Sequence, residues 1–145
     1  MNSNPNLSHS FPPFIYEGVE ILILGSLPSK KSIELKEYYG HPRNRMWKIL
    51  CAITNCDLPT NYGSKKIFLQ KNKIGLWDVA SSAERKGSLD SNIKKETPND
   101  VDNLLINYLN HLEFLFLCYY PSYLFFQHYW QHPRGQFYFF AKRSF

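Results

Sequence analysis

Seventeen Lys plus Arg against twelve Asp plus Glu leave a formal charge of +5 over 145 residues, of which 43% are hydrophobic and 20% charged. That is the composition of one soluble globular domain, and it excludes a fibrous or multidomain chain. The positive surplus is modest, enough to suit a polyanionic partner without requiring one.

The start, Met1 to Pro13, is rich in Asn, Ser and Pro and has neither a cationic beginning nor an apolar run, so neither a signal nor a transit peptide is expected and the cytoplasm is the default compartment. Residues 1–18 read as a flexible N-terminus and residues 19–117 as the folded domain. Val19 to Leu24 is apolar and β-branched up to Gly25, the pattern of a buried parallel strand. Gly25 to Tyr39 reads as a loop. His41 and Pro42 lead into a helix with Met46, Trp47, Ile49 and Leu50 on one face, and Pro42 suits its first turn. A second helix is predicted over Ser64 to Gln70 and a strand over Ile74 to Trp77, ending at Asp78. Ser81 to Lys95 reads as a polar loop. Thr97, Pro98, Asn99 and Asp100 supply capping chemistry for a helix carrying Val101, Leu104, Leu105 and Leu109, and His111 to Leu117 returns to strand character. Strands alternating with helices predict an α/β domain of three αβα layers around a short parallel sheet, with ligands beyond the carboxyl ends of the strands. Gly25 to Asn44 and Asp78 to Ser91 occupy that place.

From Phe114 to Phe145 the composition changes: eight Phe, five Tyr and Trp130 fall in the last 32 residues, which hold no Asp or Glu. Leu112 to Trp130 contains Glu113, Pro121, Gln127 and His128 and is a poor membrane span. Cys51 and Cys56 have no second close cysteine pair, so no iron-sulfur cluster is expected, and Cys118, His128 and His132 read better as ordinary side chains than as zinc ligands. No cofactor or metal is expected.

Gly25-Ser26-Leu27-Pro28-Ser29 is a tight turn able to offer amide donors to an anion. It lacks the Lys of a P-loop and the third Gly of a dinucleotide fingerprint. Tyr38-Tyr39-Gly40-His41-Pro42-Arg43-Asn44-Arg45-Met46-Trp47 sets aromatics suited to stacking beside guanidinium groups suited to phosphate, the needs of an extruded nucleotide. A plain structural reading stays open: Tyr38 and Trp47 in the core, His41 in a loop, Arg43 and Arg45 on a solvated face.

Together with Leu22-Ile23-Leu24 ahead of the turn, Gly75-Leu76-Trp77-Asp78-Val79, and Ser81, Glu84, Arg85, Gly87, Ser88, Leu89, Asp90 and Ser91 beyond it, these blocks resemble the hypoxanthine-DNA glycosylase branch of the uracil-DNA glycosylase superfamily, over roughly Glu20 to Leu117. Relatives that excise uracil from mismatches carry a catalytic Asn or Asp in the first loop, where this chain has Leu27. The resemblance instead implies that Asn44 is catalytic and positions the attacking water. It also implies that Tyr39 stacks on the extruded base and that Gly25 and Ser26 lie against base and sugar. His41, Trp77 and Asp78 would line the substrate site, with Ser29, Arg43 and Arg45 touching DNA. The implied enzyme is a monofunctional deoxyinosine glycosylase, a monomer acting on double-stranded DNA with deaminated bases. It forms no Schiff base, because no Lys matches. The alternatives are a uracil or thymine mismatch glycosylase, or an inactive DNA-binding remnant. The last arises because the family's terminal strand and its Pro-Ser-Thr-Ser-Pro-Ala-Asn kind of loop find no match after Leu117. Residues 118–145 read as a non-family tail, like a shifted reading frame, and loss of the strand predicts an open sheet edge.

Overall fold

The computed structural model describes residues 6–108, 114–117 and 136–139, the last two segments as backbone. In chain order it contains β1 (Leu7–His9), β2 (Ile21–Gly25), α1 (Lys30–Leu35), α2 (Met46–Thr54), α3 (Tyr62–Lys71), β3 (Ile74–Asp78), β4 (Ala80–Arg85), β5 (Ile93–Pro98), α4 (Val101–Tyr108), β6 (Phe114–Leu117) and β7 (Gln136–Phe139). β3-β2-β6-β7 form a sheet in which every neighbouring pair is parallel. β1-β4-β5 form a second, antiparallel sheet.

The parallel sheet divides the core by strand alternation. Leu22 and Leu24 of β2 face α4, packing with Val101, Leu104 and Leu105. Ile23 faces the other way, with Ile74 and Leu76 of β3, against Trp47 and Cys51 of α2 and Phe68 and Leu69 of α3. This is the expected αβα layering. Leu22, Leu24, Leu69 and Leu76 are almost wholly buried, each contributing about 1.5–3 kcal/mol relative to exposure. Local chemistry sets the helix starts. Asn61 and Ser64 form a reciprocal capping box at α3, and Asp100 Oδ1 accepts from Asn103 N at 3.0 Å to open α4.

Several sequence expectations are corrected. Of the segment read as flexible, Leu7–His9 pairs with β4, and Phe14 bridges to Leu76 on the edge of β3. Phe11 and Phe14 pack against the α2/α3 side of the core, which outweighs the polar composition around them. The expected loop Ser81 to Lys95 holds most of β4 and the start of β5. Ser, Ala and Glu are weak β-formers, so only the pairing with β1 and β5 makes β4 a strand. The expected loop Gly25 to Tyr39 contains α1, capped by Ser29. Pro42 lies before α2 rather than in its first turn: Asn44 N donates to His41 O at 2.8 Å, closing a turn with Pro42 in second place. The expected loss of the terminal strand does not hold either. β7 runs parallel to β6 with Phe114 opposite Gln136, and the aromatic run Phe137 to Phe139 is of high β-propensity. The rest of the tail, with Cys118, His128 and His132, lies outside the described residues.

Candidate functional site

β2 and β3 end side by side, with Gly25 opposite Asp78. A Cβ placed on Gly25 would stand 2.7 Å from Asp78 Oδ1 and 3.1 Å from the Tyr39 hydroxyl, so a carboxylate and an aromatic ring tip converge on this bare backbone. Only glycine permits that approach. Asp78 is buried, and its Oδ2 accepts from Ser10 Oγ at 2.8 Å while its carbonyl accepts from Asn99 Nδ2 at 2.8 Å. Burial pushes its carboxyl up to about 7; the Ser10 hydrogen bond and the Arg85 charge oppose the rise and the Asp90 charge adds to it.

Tyr39 arrives from the turn before α2 with φ of 52°, in the left-handed region that a bulky side chain seldom occupies. Surrounding bonds hold it there. Trp47 Nε1 donates to Tyr39 O at 3.2 Å, Gly40 N donates to the buried Ser32 Oγ at 3.1 Å, and Tyr38 N donates to Tyr62 Oη at 3.1 Å. Tyr38 Oη in turn donates to the carbonyls of Phe11 and Pro12, and burial raises its pKa well above the ordinary tyrosine value, with the Asp78 charge adding to the rise.

Asn44 lies just ahead of α2, half-buried, with Oδ1 accepting from Met46 N at 2.9 Å. That bond fixes the carboxamide, whose oxygen has a second lone pair. Ser26 Oγ donates to Asp90 Oδ1 at 2.8 Å, joining the first loop to the segment after β4. Ser29 caps α1 by accepting from Ser32 N at 3.1 Å. His41, Arg43 and Arg45 are exposed, and His41 Nδ1 accepts from Arg43 N at 3.1 Å.

Gly25, Tyr39 and Asp78 are therefore brought together, with Ser26 adjoining. Trp77 is not: its side chain packs on the α4 side of the sheet, as strand alternation requires one residue before Asp78. Sequence reasoning gave no role to Ser10, Ser32 or Arg85. Ser10 belongs to a segment that looked unstructured, although Phe11 and Phe14 were a signal that it packs. Arg85 sits in a polar run whose burial only the fold produces.

No protein-family model matches the chain. It is 50% identical over 90 residues to a hypoxanthine DNA glycosylase of Methanosarcina barkeri, covering 61% of this chain and 57% of that protein. A hypoxanthine DNA glycosylase of Methanosarcina acetivorans is 42% identical over 99 residues, 68% of this chain and 63% of the relative. The solution structure of a proposed uracil DNA glycosylase from Methanosarcina acetivorans superposes with a TM-score of 0.73 at 32% identity, over 92% of this chain and 83% of that one. The chain belongs to the uracil-DNA glycosylase superfamily. It spans about three fifths of the length of the two curated glycosylases it matches. Among the described residues, no helix is long and apolar enough to cross a membrane.

Proposed function

We propose that this chain is a monofunctional DNA glycosylase that hydrolyses the N-glycosidic bond of deoxyinosine in double-stranded DNA, as a cytoplasmic monomer. The observation that carries the reading is the convergence of Tyr39 and Asp78 on Gly25 at the carboxyl ends of β2 and β3. A base within a duplex cannot be reached there, so the nucleotide rotates out, at a cost of a few kcal/mol that stacking on Tyr39 offsets. Inosine pairs weakly, which lowers that cost.

Water adds to C1′ of the deoxyribose as the bond to the base nitrogen breaks. The bond's electron pair leaves with hypoxanthine, the water's proton ends on the departing base, and an abasic sugar remains. Asn44, its oxygen already fixed by Met46 N, holds the water. Gly25 and Ser26 lie against base and sugar, and amides of their loop stabilise the charge that develops on the leaving base. Asp78 faces the base pocket, and its hydrogen-bonding capacity depends on its protonation state. Arg43 and Arg45, exposed beside the turn, meet DNA phosphates, as does Ser29 at the start of α1.

The test is incubation with a labelled duplex carrying one deoxyinosine, followed by alkali, which should yield a cut strand. No product at stoichiometric enzyme leaves a DNA-binding remnant in its place. Faster cleavage of a uracil duplex would favour the second reading, a uracil glycosylase, which the likeness to the proposed uracil DNA glycosylase supports.

A further inference from the structure

The first loop is anchored carbonyl by carbonyl. Gly25 O accepts from Val79 N at 2.8 Å and Ser26 O from Ala80 N at 3.3 Å. Leu27 O accepts from Arg85 Nη1 at 3.3 Å, and Pro28 O from Arg85 Nη2. Four successive carbonyls are thus tied towards β4 and the strand junction before it. Among the described residues no peptide bond is cis, and in a trans peptide the N–H points opposite to the C=O of the same plane. The N–H groups of Ser26, Leu27 and Ser29 consequently face away from those anchors; Pro28 has none.

Arg85 reaches the loop because β4 is irregular. Its pairing with β5 shifts register twice between Ala80 and Glu84, and Ala80 and Ala83 pack with Leu27 in a small cluster. Such a bulge re-aims side chains, and Arg85, two residues after Ala83, follows it inward. The Arg85 side chain is 1% exposed. Burying a charge is unfavourable unless its donors and its countercharge are met, and here two donors go to loop carbonyls while Asp90 Oδ1 lies 3.7 Å from Nη1. The same Asp90 oxygen takes the Ser26 hydroxyl. One planar fork and one carboxylate thereby hold Ser26, Leu27 and Pro28.

We infer that Arg85, together with Asp90, is a positioning residue that sets the Gly25–Ser29 loop so that its amides and the Ser26 hydroxyl are presented in the orientation the reaction needs. This rests on the glycosylase reading for its effect on rate, but not for its effect on the loop. A Lys cannot replace it: a single ammonium does not bridge two neighbouring carbonyls with a fixed fork.

The test compares wild type, Arg85→Lys, Arg85→Ala and Asp90→Asn by single-turnover cleavage of the inosine duplex and by amide hydrogen exchange at Ser26, Leu27 and Ser29. Arg85→Lys should lose about 10- to 100-fold in rate, the scale of a displacement near 1 Å. Exchange in the loop should accelerate while that in β2 and α3 stays unchanged. Free guanidinium at non-denaturing concentration should restore part of the rate of Arg85→Ala, and Asp90→Asn should show the same loop effect more weakly. Wild-type rate and wild-type loop exchange in Arg85→Lys overturn the inference. So does a loss of rate that merely follows the unfolded fraction. If Arg85→Lys and Arg85→Ala do not fold, unaltered loop exchange in Asp90→Asn overturns it. If wild type itself cuts no duplex, the glycosylase reading fails, and the exchange arm still decides the clamp.

Discussion

Gly25 Cα and the Asp78 carboxylate approach so closely that a methyl group on the former would stand 2.7 Å from Oδ1 of the latter. Asp78 cannot yield easily, because its other oxygen is held by Ser10 at 2.8 Å. Gly25→Ala should therefore displace Asp78 or the strand end, destabilise the fold by about 1–3 kcal/mol and abolish inosine cleavage. A thermal melt with a single-turnover assay checks both. An alanine variant with wild-type stability and rate would show that this approach is dispensable.

If Tyr39 stacks on the extruded base as proposed, Tyr39→Ala removes a face worth roughly 1–3 kcal/mol. It should weaken affinity for an inosine duplex by about 10- to 100-fold and slow cleavage as well. Tyr39→Phe keeps the face and loses only the hydroxyl near Gly25, so its affinity should stay close to wild type. Titration of the duplex against each variant by fluorescence anisotropy distinguishes stacking from hydrogen bonding.

On the proposed reading Asn44 has two duties that a pair of variants can separate. Asn44→Ala loses both the water ligand and the bond to Met46 N. It should cost about 0.5–1.5 kcal/mol in stability and about 100-fold or more in single-turnover rate, with DNA affinity little changed. Asn44→Asp retains an acceptor for Met46 N and should recover the stability. An Asn44→Ala enzyme that cleaves at the unmutated rate removes Asn44 from the chemistry, and Asp78 or Ser26 becomes the next candidate.

The Asp78 carboxyl, at about 7 in the folded protein against an ordinary 3.8, binds its proton more tightly folded than unfolded. Between those values the native state carries the extra proton, so this group's contribution to stability is fully present below pH 4 and is lost as pH rises through 7. The loss is on the order of 4 kcal/mol. Denaturant unfolding of wild type and Asp78→Asn at several pH values between 4 and 8 should show the difference between them changing over that window. A constant difference would mean that Asp78 titrates as an ordinary carboxyl.

How much was legible in the sequence differs by residue. Val19 to Gly25 and Ile74 to Asp78 declare buried strands through continuous apolar runs, and Thr97 to Asp100 announces the helix after it, because burial on both faces and helix capping are local requirements that leave local traces. The unusual blocks around Gly25, Tyr39, Asn44 and Asp78 pointed to the family and, through it, to the site proposed above. Tertiary structure alone decided the rest. Leu7–His9 and Ala80–Arg85 have compositions that favour no strand, and they become strands by pairing with each other across more than seventy residues. Trp77 and Asp78 are neighbours in sequence but part to opposite faces of the sheet, so only one of them joins Tyr39. Ser10 and Arg85 look like surface residues until the fold carries one onto the Asp78 carboxylate and the other beneath the first loop. A polar side chain's partner is set by long-range packing, and no local pattern in the chain records it.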